Sequence, residues 1–543
     1  MLAAVLASPA SAGAAPQLRT PDSQTVAPAG YELTAKQAIR IAARSDAVRE
    51  QRAEHPKLRP AAYTRGPGRW QVSWFADDRE RAQVRIDDSL GAILEQWTGY
   101  QVAWSMARGY EGAFGRKLNA PYVWIPLCVL FLIPFVDPRR PFRLLHLDLA
   151  VLLAFGVSHV FFNRGEIGVS VPLVYPVLLY LLARLLWVGL RPRESAQRLV
   201  PYVPVSWLAL AIVFLVAFRV GLNVVDSNVI DVGYAGVLGA DRIADGDGIY
   251  GPGFHEEVER GDTYGPVTYL AYVPFEQAMP WSGTWDDLPA AHGAAIAFDL
   301  LTLLGLFVLG RRLRPGRGGR DLGVILAYAW AAFPYAAFAL QTNSNDTLVG
   351  LFSVAAMLAL TLAPTRRGLS AAARGVAVGL GAAAKFAPLA LAPLFATAGS
   401  GPGWRGVLRS VAIFALALAA GLAASFLPFV PDGGLREIYD RTVGYQASRG
   451  SPFSVWGQID SGETWRSAAT GFAALLALAV AFVPRDKSPL QVAALGGAVL
   501  IAVELATSHW FYLYVVWFAP LALVALMGGY RTAVAGQPPP ARL

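Results

Sequence analysis

From residue 120 onward the chain is built of apolar blocks of roughly 18 to 25 residues, the length that crosses a bilayer core of about 30 Å. The run Leu208 to Phe218, all Leu, Ala, Ile, Val and Phe, is the centre of one such block. Backbone inside a bilayer must satisfy its own hydrogen bonds, so blocks of this length are read as helices. Only 15% of the residues are charged and 55% are hydrophobic, and the mean hydropathy is +0.42. A soluble domain carries about 25% charged residues. The expected spans lie near 120–138, 144–162, 169–190, 203–224, 289–310, 320–340, 345–363, 370–398, 407–428, 466–484, 488–507 and 510–528. The stretch 370–398 is too long for one straight span, and Pro388 and Pro393 interrupt it, so a hairpin of two half-spans is expected there. The expected fold is therefore a polytopic α-helical membrane protein of about 13 spans counting half-helices.

Basic residues set the orientation. Arg139, Arg140 and Arg143 follow the first span, Arg191, Arg193 and Arg198 the third, and Arg311, Arg312, Arg314, Arg317 and Arg320 the span ending near 310. Arg366, Arg367 and Arg374, then Arg405 and Arg409, then Arg485 and Lys487 continue the series. All fall on the cytoplasmic face if 265–281 does not cross and 370–398 crosses twice. The external segments are then 163–168, 225–288, 341–344, a point near residue 385, 429–465 and 508–509. The tail 529–543 is cytoplasmic. The net charge of +8 thus belongs to topology and does not point to nucleic acid. Localisation in a bacterial plasma membrane is the expectation.

Cys128 stands alone inside an apolar block, so no intrachain disulfide and no cysteine metal site is possible. The six histidines show no paired-ligand spacing. No metal and no cofactor are expected. The leader 1–14 reads as a signal peptide without a basic n-region; Ala10-Ser11-Ala12 and Ala12-Gly13-Ala14 both fit small-residue cleavage sites.

Residues 31–115 are polar and patterned as a small N-terminal α+β domain. Thr34-Ala-Lys-Gln37 is a capping box opening a helix through Arg44. Trp70, Val72 and Trp74 alternate with polar residues, as do Val84 and Ile86, which predicts two half-buried strands. Asp88-Ser-Leu-Gly91 predicts a turn and Ala92 to Trp97 a third strand. This order resembles the PepSY-like extracytoplasmic domain, which carries no catalytic motif.

Two external loops are long, and long loops between spans are functional or disordered. The loop 225–288 is rich in Gly, Tyr, Asp and Trp, and disordered segments are poor in aromatics. Asp226 and Asp231 stand just outside the fourth span. A carboxylate at the membrane boundary is partly desolvated, which makes it a better base once ionised. Asp241, Asp245, Asp247, His255, Glu256, Glu257 and Glu259 follow, and the acids among them are read as solvated loop charges.

Asp231-Val-Gly-Tyr234, Gly246-Asp-Gly-Ile-Tyr250 and Asp262-Thr-Tyr264-Gly-Pro266 resemble glycosyltransferase family 87 of the GT-C superfamily. Downstream, Gln341-Thr-Asn343-Ser-Asn345-Asp346 resembles that family's polar corner. Gly379 to Pro393, with Lys385 and Pro388, resembles its broken hairpin, and Gly450-Ser-Pro-Phe-Ser454 its later external loop. The family's Tyr-Pro-Pro is Tyr264-Gly-Pro266 here, and Tyr234 follows Asp231 at a spacing one shorter than usual. The resemblance covers 203–528; the spans in 120–198 are extra to it.

The resemblance implies an enzyme that moves a sugar from a polyprenyl-phosphate carrier to an acceptor hydroxyl on the outer face. The acceptor would be an envelope glycan or glycolipid. Asp231 or Asp226 would take the acceptor proton, with Asp231 preferred because the later Gly and Tyr then fall nearly in register. Tyr234, Tyr250, Tyr264, Asn343, Asn345, Ser454 and His509 are the expected substrate-binding residues. Lys385 is expected at the leaving phosphate, because a cation deep in apolar sequence is a functional hypothesis by default; snorkelling to the interface is the bland alternative. Trp510, Phe511 and Tyr512 beside His509 also fit an interfacial aromatic belt. Arg219, inside a span, is expected to pair with the carrier phosphate or a neighbouring Asp, and His146 and Asp148 to be structural. No strand–helix alternation with a Gly-rich turn is present for a nucleotide-sugar domain. The competing classes are a transporter or flippase of a lipid-linked sugar, since broken helices also mark transporters, and a non-catalytic envelope protein.

Overall fold

The Thr34 hydroxyl accepts from the Gln37 backbone N–H at 3.2 Å, and the Gln37 side chain accepts from the Thr34 backbone N–H at 2.8 Å. This reciprocal cap starts helix α1, Ala35–Ala42, of the N-terminal unit. A computed structural model describes residues 18–109, 114–192, 194–251, 253–254, 260–284 and 287–532. The expected leader 1–14, the run 255–259 and most of the expected tail 529–543 lie outside the described residues. The chain divides into two compact units, Met1–Glu111 with Val160–Ile167, and Gly112–His159 with Gly168–Leu543.

In the first unit, Ser45 caps a second helix, α2, Asp46–Glu54, by accepting from the Val48 N–H. A five-stranded antiparallel meander accompanies them: β1 Leu18–Arg19, β2 Arg59–Arg65, β3 Arg69–Ala76, β4 Arg79–Asp87 and β5 Ile93–Thr98. The register explains the core. Ala62 pairs with Val72 and Val72 with Val84, while Trp70 pairs with Ile86, so these side chains share one face. With Ala35, Ala38, Ala42 and Val48 of the helices they form a single buried cluster. The expected strand pattern at Trp70, Val72, Trp74, Val84 and Ile86 is present. Helix α2 and strand β2 were not foreseen, because 46–65 is charged and shows neither period.

The second unit is helical. Among the described residues seven helices are long and apolar enough to cross a membrane: Leu144–Asn163, Ile167–Leu190, Val205–Val225, Pro289–Leu313, Trp404–Phe429, Gly462–Phe482 and Pro489–Ala506. The expected span 320–340 is a bent pair, Gly316–Ala332 and Pro334–Gln341, at 56°. Pro334 supplies no N–H and keeps Phe333 out of helical geometry, which breaks the rod there. Shorter apolar helices are Pro121–Phe135, Thr347–Leu360, Ala387–Thr397 and Tyr512–Met527. Residues 265–281 form only the short helices Pro266–Leu270 and Val273–Ala278. At about 1.5 Å per residue neither can cross a bilayer.

Two buried charges inside these helices have opposite charges beside them, which offsets the cost of burying them. Arg219 meets Asp299 at 2.5 Å and donates to the Ala331 carbonyl, while Trp330 Nε1 donates to Asp299 at 2.9 Å. An Asp partner for Arg219 is thus present. Asp148 accepts from Arg184 at 2.9 Å and from Tyr180 at 2.8 Å. His146 bonds the Pro141 and Phe135 carbonyls.

Candidate functional site

Asp231 opens the helix Asp231–Asp245, and its position is set by the polar corner 341–346. The chain leaving Val205–Val225 runs beside that corner, with Asn228 N–H donating to the Gln341 carbonyl and Ile230 N–H to the Thr342 carbonyl, each at 3.2 Å. Asn343 adopts a left-handed backbone, φ 50°, which an Asn tolerates better than most residues. Its Oδ1 accepts from Asn223 at 2.9 Å, and its Nδ2 donates to Ser227 Oγ at 3.1 Å and to the Asn228 carbonyl at 3.0 Å. Asn345 Nδ2 donates to the Val232 carbonyl at 3.2 Å. A Cβ on Gly233 would lie 2.4 Å from the Asn343 carbonyl oxygen, so the helix start and the corner touch backbone to backbone. Asn343 and Asn345 thus fasten the segment that carries Asp231.

The second wall is the break near residue 385. The helix Arg367–Ala384 ends at Lys385, whose backbone is extended. The carbonyl of Ala384 accepts from Thr268 Oγ1 at 2.8 Å and from Gly265 N–H at 3.3 Å. A Cβ on Gly265 would meet the Ala383 carbonyl oxygen at 2.0 Å. This close approach puts the Tyr264 ring 5.2 Å from Lys385 Nζ. Tyr250 supports the same segment by donating its hydroxyl to the Tyr264 carbonyl at 3.0 Å. Asp262 ties it to the later loop through Arg441 at 2.7 Å.

Lys385 does not reach out to lipid or solvent. Its ammonium lies 2.5 Å from Asp346 Oδ1, and both side chains are buried. Trp517 Nε1 donates to the same oxygen at 2.8 Å, and Ser344 Oγ donates to Oδ2. Tyr514 stacks on Trp517 with ring centroids 4.1 Å apart. Lys385 also lies 5.8 Å from the Trp517 ring.

Asp231 is exposed to solvent at the start of its helix, and the charges of Arg449, Lys385 and Asp346 reach it. Burial raises its carboxyl above the usual range, with Asp346 adding to the effect. The Val232 N–H, Arg449 and Lys385 oppose the rise. These charges are therefore close enough to act on one another. Tyr264 is raised as well, first by burial and then by Asp231.

The remaining expected residues divide. His509 Nδ1 lies 2.9 Å from Ser451 Oγ, and burial followed by the Arg449 charge pushes the imidazole down to about 3. It is neutral at ordinary pH. Ser454 caps the turn Val455–Gly457 by accepting from the Gly457 N–H. Tyr234 packs in a buried apolar cluster with Val237, Tyr272 and Phe298, its ring 5.8 Å from that of Trp281. Asp226 ends the helix Val205–Val225 and pairs with Lys117 at 3.2 Å. The structure thus brings Asp231, Tyr264, Lys385 and Asp346 together, with Arg449 in electrostatic range.

Asp346, Arg449, Tyr514 and Trp517 received no role from the sequence. The signal for Asp346 was available: Lys385 deep in apolar sequence needs a counter-ion, and an acid inside the polar corner 341–346 supplies one. Among the described residues no group of three or more His, Cys, Asp or Glu could hold a metal ion. No protein-family model matches the sequence, and no curated protein matches it.

Proposed function

We propose that this chain is a multi-pass membrane glycosyltransferase of the GT-C kind, passing a sugar from a polyprenyl-phosphate carrier to an acceptor hydroxyl on the outer face. The observation that carries the reading is an exposed carboxylate, Asp231, within electrostatic range of the buried Lys385–Asp346 pair and of Arg449. An acceptor oxygen attacking an anomeric carbon must lose a proton, and a carboxylate held above its usual range is a suitable base. The leaving group is a phosphate monoester, stable as an anion, which needs cations or donors more than a strong acid. Lys385 and Arg449 serve it. Tyr264, Tyr514 and Trp517 form the aromatic wall for a sugar ring. On this reading the hydrophobic segments amount to about 13 crossings and half-crossings. The PepSY-like module and the loop 225–288 are external, and the C-terminal tail is cytoplasmic.

A second reading, transport of a lipid-linked sugar, draws support from the bent pair Gly316–Ala332 and Pro334–Gln341 and the break at Lys385, because transporters use discontinuous helices. Purified protein in proteoliposomes with polyprenyl-phosphate-linked sugars separates the two. Product formed by the wild type and lost in Asp231→Asn supports the transferase. Carrier crossing the bilayer without product refutes it.

A further inference from the structure

The two faces of the N-terminal sheet differ in kind. One face is the apolar core under α1 and α2. The register puts Tyr63, Gln71, Arg85 and Glu95 in one row across the other, and Ala61, Ser73, Gln83 and Trp97 in the next. Arg65 lies at the end of β2 on this same polar face, two positions from Tyr63. Arg108, following the short helix Tyr100–Ala103, reaches across it and lies 5.4 Å over the Trp97 ring.

These guanidiniums are held in fixed poses. Arg65 donates to Gln71 Oε1 at 2.6 Å. Arg108 donates to Gln83 Oε1 and to the Gln101 carbonyl, each at 2.9 Å. Arg85 donates to Glu95 at 2.7 Å, and Trp97 Nε1 donates to the same carboxylate at 3.2 Å. Most of the acceptors are neutral. Glu95 pairs with Arg85 and its charge also reaches Arg65 and Arg108, Glu80 stands toward the rim with Gln83 Nε2 on it and also acts on Arg108, and Arg69 faces Asp87 across the strand ends. The Arg85 Nε–H is closed from solvent and has no acceptor among the described residues. Arg65 and Arg108 are lowered by burial and then by the Arg85 charge, so the three press on one another.

Arg65, Arg85 and Arg108 outnumber Glu95 and the outlying Glu80 on this half-buried face, and the excess positive charge destabilises it unless a further anion joins them. A buried donor without an acceptor also needs an explanation. A guanidinium is a planar fork matched to oxyanions, and several forks suit a ligand with more than two charged oxygens. We propose that the polar face of this sheet is a binding site for a phosphate-class oxyanion, held by Arg65, Arg85 and Arg108 beside Trp97. The ligand is a free phosphate or the phosphate of a lipid headgroup.

The test uses the full chain purified in a neutral detergent, at constant ionic strength with chloride as the control anion. Inorganic phosphate and soluble short-chain phosphatidylglycerol are titrated separately by calorimetry. Saturable binding of the first alone assigns a free anion, and of the second a headgroup. Either is expected to weaken by about tenfold or more in Arg65→Gln and in Arg108→Gln, the scale of one charge-assisted hydrogen bond. Arg108→Lys, which keeps the charge but not the fork, falls between. In phosphate-free buffer the Gln variants keep or raise the thermal midpoint, since a like charge has been removed. Binding no stronger than chloride, unchanged affinity in the variants, or a lowered midpoint with no phosphate response each overturns the proposal.

Discussion

The ammonium of Lys385 sits 2.5 Å from Oδ1 of Asp346, with the two side chains only 9% and 1% exposed. Removing one member of a buried pair leaves an uncompensated charge and costs about 3–5 kcal/mol. Asp346→Ala is therefore expected to lower the thermal midpoint sharply. The double variant Asp346→Ala with Lys385→Met should lose less than the sum of the single losses, with a coupling of about 1 kcal/mol or more. Lys385→Ala should still insert but lose sugar transfer. Thermal unfolding in detergent measures the first effect, and turnover in proteoliposomes the second. Strictly additive single losses would show that the pair is not one energetic unit.

Asp231 and Asp226 were rival candidates for the base, and their surroundings now differ. Asp226 is held by Lys117 at the end of the helix Val205–Val225, whereas Asp231 faces the Lys385 group. Asp231→Asn is expected to abolish transfer, by about a hundredfold or more as for a lost general base, while carrier binding survives. Asp226→Asn should retain most of the activity. The reverse ranking would move the base to Asp226.

The pH profile follows from the same charges. As a base Asp231 must be ionised, and burial raises its carboxyl above the ordinary 3.8. The proposed transfer should therefore rise with pH through an acid limb lying above that value and be lost below it. Arg449 lowers this carboxyl, so Arg449→Gln should move the limb to higher pH. The dependence of kcat/KM on pH reads both effects. A limb that stays in place in Arg449→Gln would detach the arginine from Asp231.

Much of the scaffold was legible because its signals are local. The cap at Thr34 depends on residues three apart, and the alternation at Trp70, Val72 and Trp74 on neighbours in one strand. The length of the apolar blocks likewise announced the long helices. The break near residue 385 could be foreseen from Pro388, although the helix ends at Lys385 itself. The site was legible only in part. Asp231, Tyr264 and Lys385 could be named, but the Asp346 partner lies far from Lys385 in the chain, and no local pattern joins them. Tyr234 and Ser454 have structural surroundings that their residue types did not announce. Their residue types suit ligand binding, yet one fills a core and the other caps a turn.

Gly265 gives the sharpest probe of how the loop 225–288 is docked. It has no room for a side chain, because a Cβ would stand 2.0 Å from the Ala383 carbonyl oxygen, and backbone cannot swing aside as a flexible side chain can. Forcing an extra carbon into such a contact costs about 1–3 kcal/mol when the surroundings shift to admit it. The element free to shift is the Tyr264–Gly265 segment, held to Ala384 by the Gly265 N–H and the Thr268 hydroxyl. Gly265→Ala is thus expected to lift Tyr264 from Lys385 and to reduce kcat/KM far more than its thermal midpoint falls. Thr268→Val, which removes one of the two ties without adding bulk at the contact, should give a milder loss of the same kind. If Gly265→Ala turned over at the wild-type rate, the approach of this loop to the Lys385 break would have no part in the chemistry.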